Sequence, residues 1–329
     1  MMRYIFLFIA FLVISTGRLA ADPTFWRNEW PNTDFSKTNV AWIDIFSGGP
    51  GKDGIPALIS PEFMDLAKAA LPDNEPVLTL SLAGIARAYP LRYLIWHELV
   101  NDRIADHPVL ISFCPLCNSA VVFDRRVNGQ ELQFGVTGKL RHSDMIMYDV
   151  ETQSWWQQAI GRGIVGHMTG AELTTIPSVI ESVAMFRTQH PTGQIMAAPS
   201  YNRAYGRNPY VGYDTSVRPF LYTGDLPPND IAPLARVVRV GNRAWPIERL
   251  SDVSEINEAN VSIRKRGIYA SALGAGVIAS ADRVPSITVT DNDGNPIVHD
   301  VMFAFAFHAF YPDGQWMLGR QDKLVFLQR

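Results

Sequence analysis

Residues 109–125 read V-L-I-S-F-C-P-L-C-N-S-A-V-V-F-D-R. β-Branched and aromatic runs flank C-P-L-C-N and no helical period follows it, so the pattern predicts two strands joined by a tight turn. That turn carries the chain's only two cysteines, Cys114 and Cys117. A thioredoxin-type pair sits where a strand gives way to a helix, whose N-terminus lowers the thiol pKa. The form here is closer to a zinc-ribbon knuckle, in which a turn aims two sulfurs at one metal.

Outward from the hairpin, V-L-T-L-S-L at residues 77–82, L-Q-F-G-V at 132–136 and M-I-M-Y-D at 145–149 predict more short strands. Helices are expected only over 62–70, 91–99 and 178–189, the last capped by Ser178 and ended by His190-Pro191. The fold class that follows is α+β, predominantly β: short antiparallel strands and hairpins with a few short helices. R-A-Y-P-L-R-Y-L at residues 87–94 and R-A-W-P-I-E-R-L at 243–250 each follow a strand-like run, which predicts two repeat-related lobes. We place the first, with the cysteine hairpin, over 61–200 and the second over 201–329. Residues 22–60 mix Trp26, Trp30, Trp42 and Phe46 with turn formers and read as an irregular arm. Residues 267–281, rich in Gly and Ala, read as a structural pair of small-residue strands.

The N-terminus has one early positive charge, an apolar run from Tyr4 to Ile14 and small residues at Ala20 and Ala21. This is the layout of a cleavable signal peptide over 1–21, and the run falls short of the roughly 20 residues that span a bilayer. The expected location is therefore periplasmic or secreted, with no stable membrane span after cleavage. The net charge of −3 becomes about −5 without Arg3 and Arg18. No basic run exceeds R-K-R at 264–266, which argues against a nucleic-acid partner. With 329 residues and 47% hydrophobic content, the chain can bury more than one core.

Three roles stay open for the cysteines. A structural disulfide suits an exported chain, but closing so short a loop stabilises by only about 2 kcal/mol on the chain-entropy estimate. In a thiol-disulfide centre, Cys114 or Cys117 attacks a redox partner and its neighbour resolves. A metal site would hold copper or zinc, and two thiolates alone leave either ion short of ligands. The candidate third ligands are His97 in W-H-E-L-V-N-D, and His142 and Asp144 in L-R-H-S-D. Glu98, Asn101 and Asp102 add more polar groups behind the short apolar helix than simple packing needs. Asp144 and Asp149 also suit turn starts, and Trp155 and Trp156 should face opposite sides of a strand. No G-x-S-x-G, P-loop or G-x-G-x-x-G pattern is found. H-E-L-V-N has Asn101 where a zincin has its second histidine, and Asn118 replaces the histidine of a haem-binding C-x-x-C-H.

The ordered set R-A-Y-P-L, H-E-L-V-N-D, F-C-P-L-C-N-S-A-V-V-F-D-R, F-G-V-T-G-K-L-R-H-S-D-M-I-M-Y-D and T-Q-S-W-W-Q resembles the domain-of-unknown-function family numbered 3179, from about residue 54 onward. The resemblance implies an exported or membrane-attached protein and carries no settled activity. It sets Cys114, Cys117, His97, Glu98, Asn101, Asp102, Ser143, Asp144, Asp149, Trp155 and Gln157 on motif positions. His142 falls between them, which favours His97 as ligand, and Thr137 replaces a usual serine. The combined expectation is a soft-metal protein using Cys114, Cys117, His97 and Asp144, with copper ahead of zinc. A periplasmic thiol-disulfide oxidoreductase is the alternative, and a partner-binding scaffold the third.

Overall fold

The computed structural model describes residues 23–319. The expected signal peptide lies outside them, and among them no helix is long and apolar enough to cross a membrane. The chain is mostly β, its small sheets arranged as a five-bladed, propeller-like ring. Among the described residues three sheets have five strands, one has four and one has three, and a two-stranded ribbon pairs Arg126–Val127 with Gln130–Glu131.

The cysteine sheet orders Thr175–Ile176, Ser119–Asp124, His107–Cys114, Leu99–Ile104 and Leu58–Ile59. Beside it, the aspartate sheet orders Ile45–Ser47, Phe134–Arg141, Asp144–Asp149, Trp155–Gln157 and Arg162–Val165. Period-two alternation sends Trp155 and Trp156 to opposite faces. Trp155 packs against Trp26, Trp30 and Phe35 of the N-terminal segment, whereas Trp156 meets Phe134 in the main core. That core runs from Leu110 and Phe113 to Phe303, Phe305 and Phe307, so it spans both the 61–200 and 201–329 segments.

The R-A-Y-P and R-A-W-P matches occupy the same structural place. Pro76–Leu82 pairs antiparallel with Ile85–Pro90 and with Val179–Ser182, and Ile85–Pro90 runs parallel to Gln194–Met196. Arg236–Val240 likewise pairs antiparallel with Arg243–Pro246 and Asp300–Phe303, and Arg243–Pro246 runs parallel to Gln315–Trp316. A seven-residue helix joins the outer strands in each, Val183–Gln189 in one and Ala304–Phe310 in the other. The register agrees too: Arg87 faces Gln194, and Arg243 faces Gln315. A second sequence match falls on the same frames: F-R-T-Q-H-P-T-G-Q-I-M from Phe186 and F-H-A-F-Y-P-D-G-Q-W-M from Phe307. A Cβ on Gly193 would lie 2.7 Å from the Phe186 ring, and one on Gly314 2.5 Å from the Phe307 ring, so both turns require glycine.

The helix Leu91–His97 is two turns long and buries Leu91, Tyr93, Leu94, Ile95 and His97; packing rather than intrinsic propensity sustains it. Three expectations need correction. Residues 62–70 form the edge strand Phe63–Asp65 and a 3-10 turn, because Met64 pairs with Ile195 and sheet pairing overrides a local helical pattern. Over 178–189 the chain first makes the strand Val179–Ser182, and Ser182, not Ser178, caps the helix by accepting from the Met185 amide at 3.2 Å. The expected strand pair over 267–281 is the end of one long strand, Val261–Ala270, followed by a loop and the 3-10 turn Ile278–Ser280.

Candidate metal centre

Cys114 closes the strand His107–Cys114 opposite Ser119, and residues 115–118 make the turn between the strands. The hairpin knuckle is therefore present, with Asn118 in a left-handed conformation at φ 50°. Long-range hydrogen bonds pin its tip. The Cys117 carbonyl accepts from the Phe303 amide at 2.8 Å, Asn118 Nδ2 donates to the Val301 carbonyl, and the Tyr213 hydroxyl donates to the Leu116 carbonyl at 3.0 Å. Both cysteines are free thiols, 1% and 0% exposed.

A second hairpin meets the knuckle. Phe134–Arg141 turns into Asp144–Asp149 through His142 and Ser143, both at positive φ, the mirror-type turn whose twist suits a two-residue hairpin. Gly138 bulges the first strand, and a Cβ there would lie 1.9 Å from the Pro50 carbonyl oxygen. The tip delivers the Ser143 carbonyl to 3.4 Å from Cys117 Sγ and 4.0 Å from Cys114 Sγ. Asp144 Oδ1 stands 3.4 Å from Cys117 Sγ. One donor atom from each of Cys114, Cys117 and Asp144 lies within 4.8 Å of the others. The far side of Asp144 is held by Gln157 Nε2 at 2.6 Å and the Ala159 amide at 2.9 Å, which aim its other oxygen at the sulfur.

The electrostatics are one-sided. Burial pushes both thiols above their ordinary pKa, and the nearby Asp144 carboxylate adds to it. Asp144 is raised to about 6 by burial, against the opposing hydrogen bonds from Ala159 and Gln157. Glu98 is raised to about 8 by burial and by the charge of Asp144. Neither carboxylate is in an ion pair among the described residues, and the Arg141 guanidinium donates to Gln157 Oε1. Four acidic groups thus share a dry region, where the Arg141 guanidinium acts on Asp144 through space without forming an ion pair with it.

The other expected site residues divide between support and structure. His97 does not join the cluster, and its assignment as a ligand is corrected. Its Nδ1 bonds the Pro56 carbonyl at 2.8 Å and its Nε2 the Tyr205 hydroxyl at 2.7 Å, so neither nitrogen has a lone pair to offer a metal. Gln157 supports Asp144, and Ser143 contributes its carbonyl. Asn101 clamps the two sheets together through both backbone groups of Phe134. Asp102 accepts from Arg87 and the Tyr89 hydroxyl at 2.6 and 2.5 Å. Asp149 caps the following turn through Thr152 and takes the Trp156 indole N–H at 2.8 Å. Trp155 is core.

Glu98 follows the first helix with φ 59° and ψ −37°, outside the left-handed well that a non-glycine residue tolerates. Its amide bonds the Leu94 carbonyl and its carbonyl accepts from the Phe113 amide, which hold this conformation from both sides. The side chain lines a cavity of about 520 Å³ together with Leu116 and Met145, the neighbours of the cysteine and aspartate donors. Tyr210, Tyr213 and Phe220 complete one wall. Sequence reading missed this segment. It has no spacing signal, because Tyr213 reaches Leu116 across 97 positions.

No curated protein and no solved structure matches this chain. The model of the family described as "Protein of unknown function (DUF3179)" matches residues 52–314, so the chain belongs to that family.

Proposed function

We propose that this is an exported metal-binding protein that holds one soft or borderline ion on Cys114, Cys117 and Asp144. The observation that carries the reading is the convergence of two free thiols and a carboxylate, all buried, with no ion pair to the carboxylate among the described residues. Once the thiols lose their protons to ligate, a buried anionic cluster is costly unless a cation compensates it. The spacing suits an ion: with bonds of about 2.3 Å to sulfur and about 2.1 Å to oxygen, a tetrahedral zinc sets those ligands roughly 3.6 Å apart. The Cys117–Asp144 separation is 3.4 Å. Copper led zinc while histidine was the expected third ligand. With a hard carboxylate in its place, the donor set favours zinc over Cu(I). The apolar N-terminal run supports export to the periplasm or beyond, and the matching sheets support a chain of two repeat-related lobes, 61–200 and 201–329.

The thiol-disulfide alternative rests on two adjacent free thiols. Burial and raised pKa make them poor thiolates, which weighs against it. Competition titration of metal-free protein with a zinc-chelating dye separates the readings. One zinc per chain, lost in Cys114→Ser, Cys117→Ser and Asp144→Asn, is expected. Zinc binding unchanged in all three variants, or no binding by the parent chain, sinks the metal proposal. Reversible closure of a disulfide with a redox buffer would then favour an oxidoreductase with a periplasmic redox partner.

A further inference from the structure

We infer that the 520 Å³ cavity beside the metal centre binds a small organic cation, an amine or quaternary ammonium group on an apolar body, with Glu98 as its counter-ion. Three independent features meet here. First, the space is of small-molecule size, within the usual range of about 300–1,000 Å³. Its wall is largely apolar, with Leu116, Val136, Met145 and Phe220 among the residues that face it.

Second, Glu98 is only 6% exposed, and no described residue hydrogen-bonds to its carboxylate. A buried carboxylate without a partner is a group waiting for one. The only cationic side chain in the lining is already engaged: Lys139 Nζ is 2.6 Å from Glu29 and lies against the rings of Trp26, Trp30 and Trp155. Third, the strained backbone at Glu98 is locked by hydrogen bonds on both sides, and it ends a helix, where a negative charge is disfavoured. Strain held at such a place is maintained for the direction it gives the side chain.

The sign of the ligand does not depend on the metal. A divalent ion held by two thiolates and a carboxylate leaves the centre with one net negative charge, so loading the metal does not turn the site against a cation next to Glu98. Tyr210 and Tyr213 add ring faces that attract ammonium groups. The inference therefore goes beyond the metal reading and stands or falls separately.

The probes are 2-phenylethylamine, charged at neutral pH, and its neutral counterpart 2-phenylethanol, titrated calorimetrically into the full chain with and without zinc. The amine is expected to bind at least tenfold more tightly than the alcohol in both states. Glu98→Gln should abolish that preference without weakening the alcohol. Val211→Trp, at a cavity residue 63% exposed and so tolerant of change, should weaken both probes. Equal binding of amine and alcohol, a preference that survives Glu98→Gln, or no binding of either probe overturns the inference. Zinc stoichiometry, read in the same samples, reports on the metal centre alone.

Discussion

The sheet built on Pro76–Leu82 and the sheet built on Arg236–Val240 share strand order, strand direction and a connecting helix, yet they lead to different things. After Ile85–Pro90 the chain forms the helix Leu91–His97, ends it at strained Glu98, and returns at Val179 only after making the cysteine and aspartate sheets. After Arg243–Pro246 it makes a single 3-10 turn, Ile247–Leu250, then the three-stranded sheet of Val261–Ala270, and returns at Asp300. The frame is a packing solution used twice; the chemistry lies in what one copy inserts. The second copy is still needed by the first, since Val301 and Phe303 pin the cysteine turn.

The largest effects should test the equivalence of the frames. Phe186 and Phe307 are both 0% exposed and each packs against its own glycine turn. Phe186→Ala and Phe307→Ala should each cost about 3–5 kcal/mol in denaturant unfolding. A large loss at one and none at the other would break the comparison. Next, Cys117→Ser should weaken zinc binding about a hundredfold, or roughly 2.7 kcal/mol, whereas Gly314→Ala in the second frame should leave the affinity of folded protein unchanged. A zinc affinity insensitive to Cys117 would remove the chemical difference between the two copies.

Gly193→Ala and Gly314→Ala sharpen the comparison at smaller scale. Each new methyl must push against a phenyl ring and a backbone carbonyl, 2.9 Å away at His190 and 2.7 Å at Tyr311, for a loss of about 1–3 kcal/mol in melting or denaturant curves. A further test, read as a slope rather than a single loss, is a pH dependence confined to the first copy. In metal-free protein, Glu98 stays protonated up to about 8 while the unfolded chain releases that proton near its ordinary value. Between those values the unfolded state binds fewer protons, so stability falls as pH rises, by at most about 1.4 kcal/mol per pH unit, and levels off above the folded pKa. Asp144, at about 6, acts with the same sign over a narrower window. Glu98→Gln should flatten most of the slope in denaturant titrations run from pH 5 to 9; an unchanged slope would show that Glu98 is not held protonated.

Local pattern made the cysteine hairpin legible, because two β-branched runs around C-P-L-C-N have few other ways to fold. The same is true of Trp155 and Trp156, whose opposite faces follow from the pleat, and of Asp144, which arrives beside the sulfurs on a predicted hairpin. His97 shows the limit. Its neighbours in sequence are apolar and acidic, which suited a ligand, but its partner is Tyr205, 108 positions away. Residues 62–70 failed for the same reason, since the pairing of Met64 with Ile195 lies outside any local window.

By itself, then, the sequence determined the predominantly β class, the cysteine knuckle, the recurrence of R-A-Y-P and R-A-W-P and the family. Each is carried by short motifs, within which backbone geometry leaves little choice. Only the tertiary structure decided that Asp144 rather than His97 meets the sulfurs, that the two outer helices and glycine turns repeat, and that Glu98 faces a cavity without a partner. Those outcomes depend on which hydrogen bonds and ring contacts can be satisfied together across the whole core, and a lone pair taken by a distant tyrosine is no longer available to a metal.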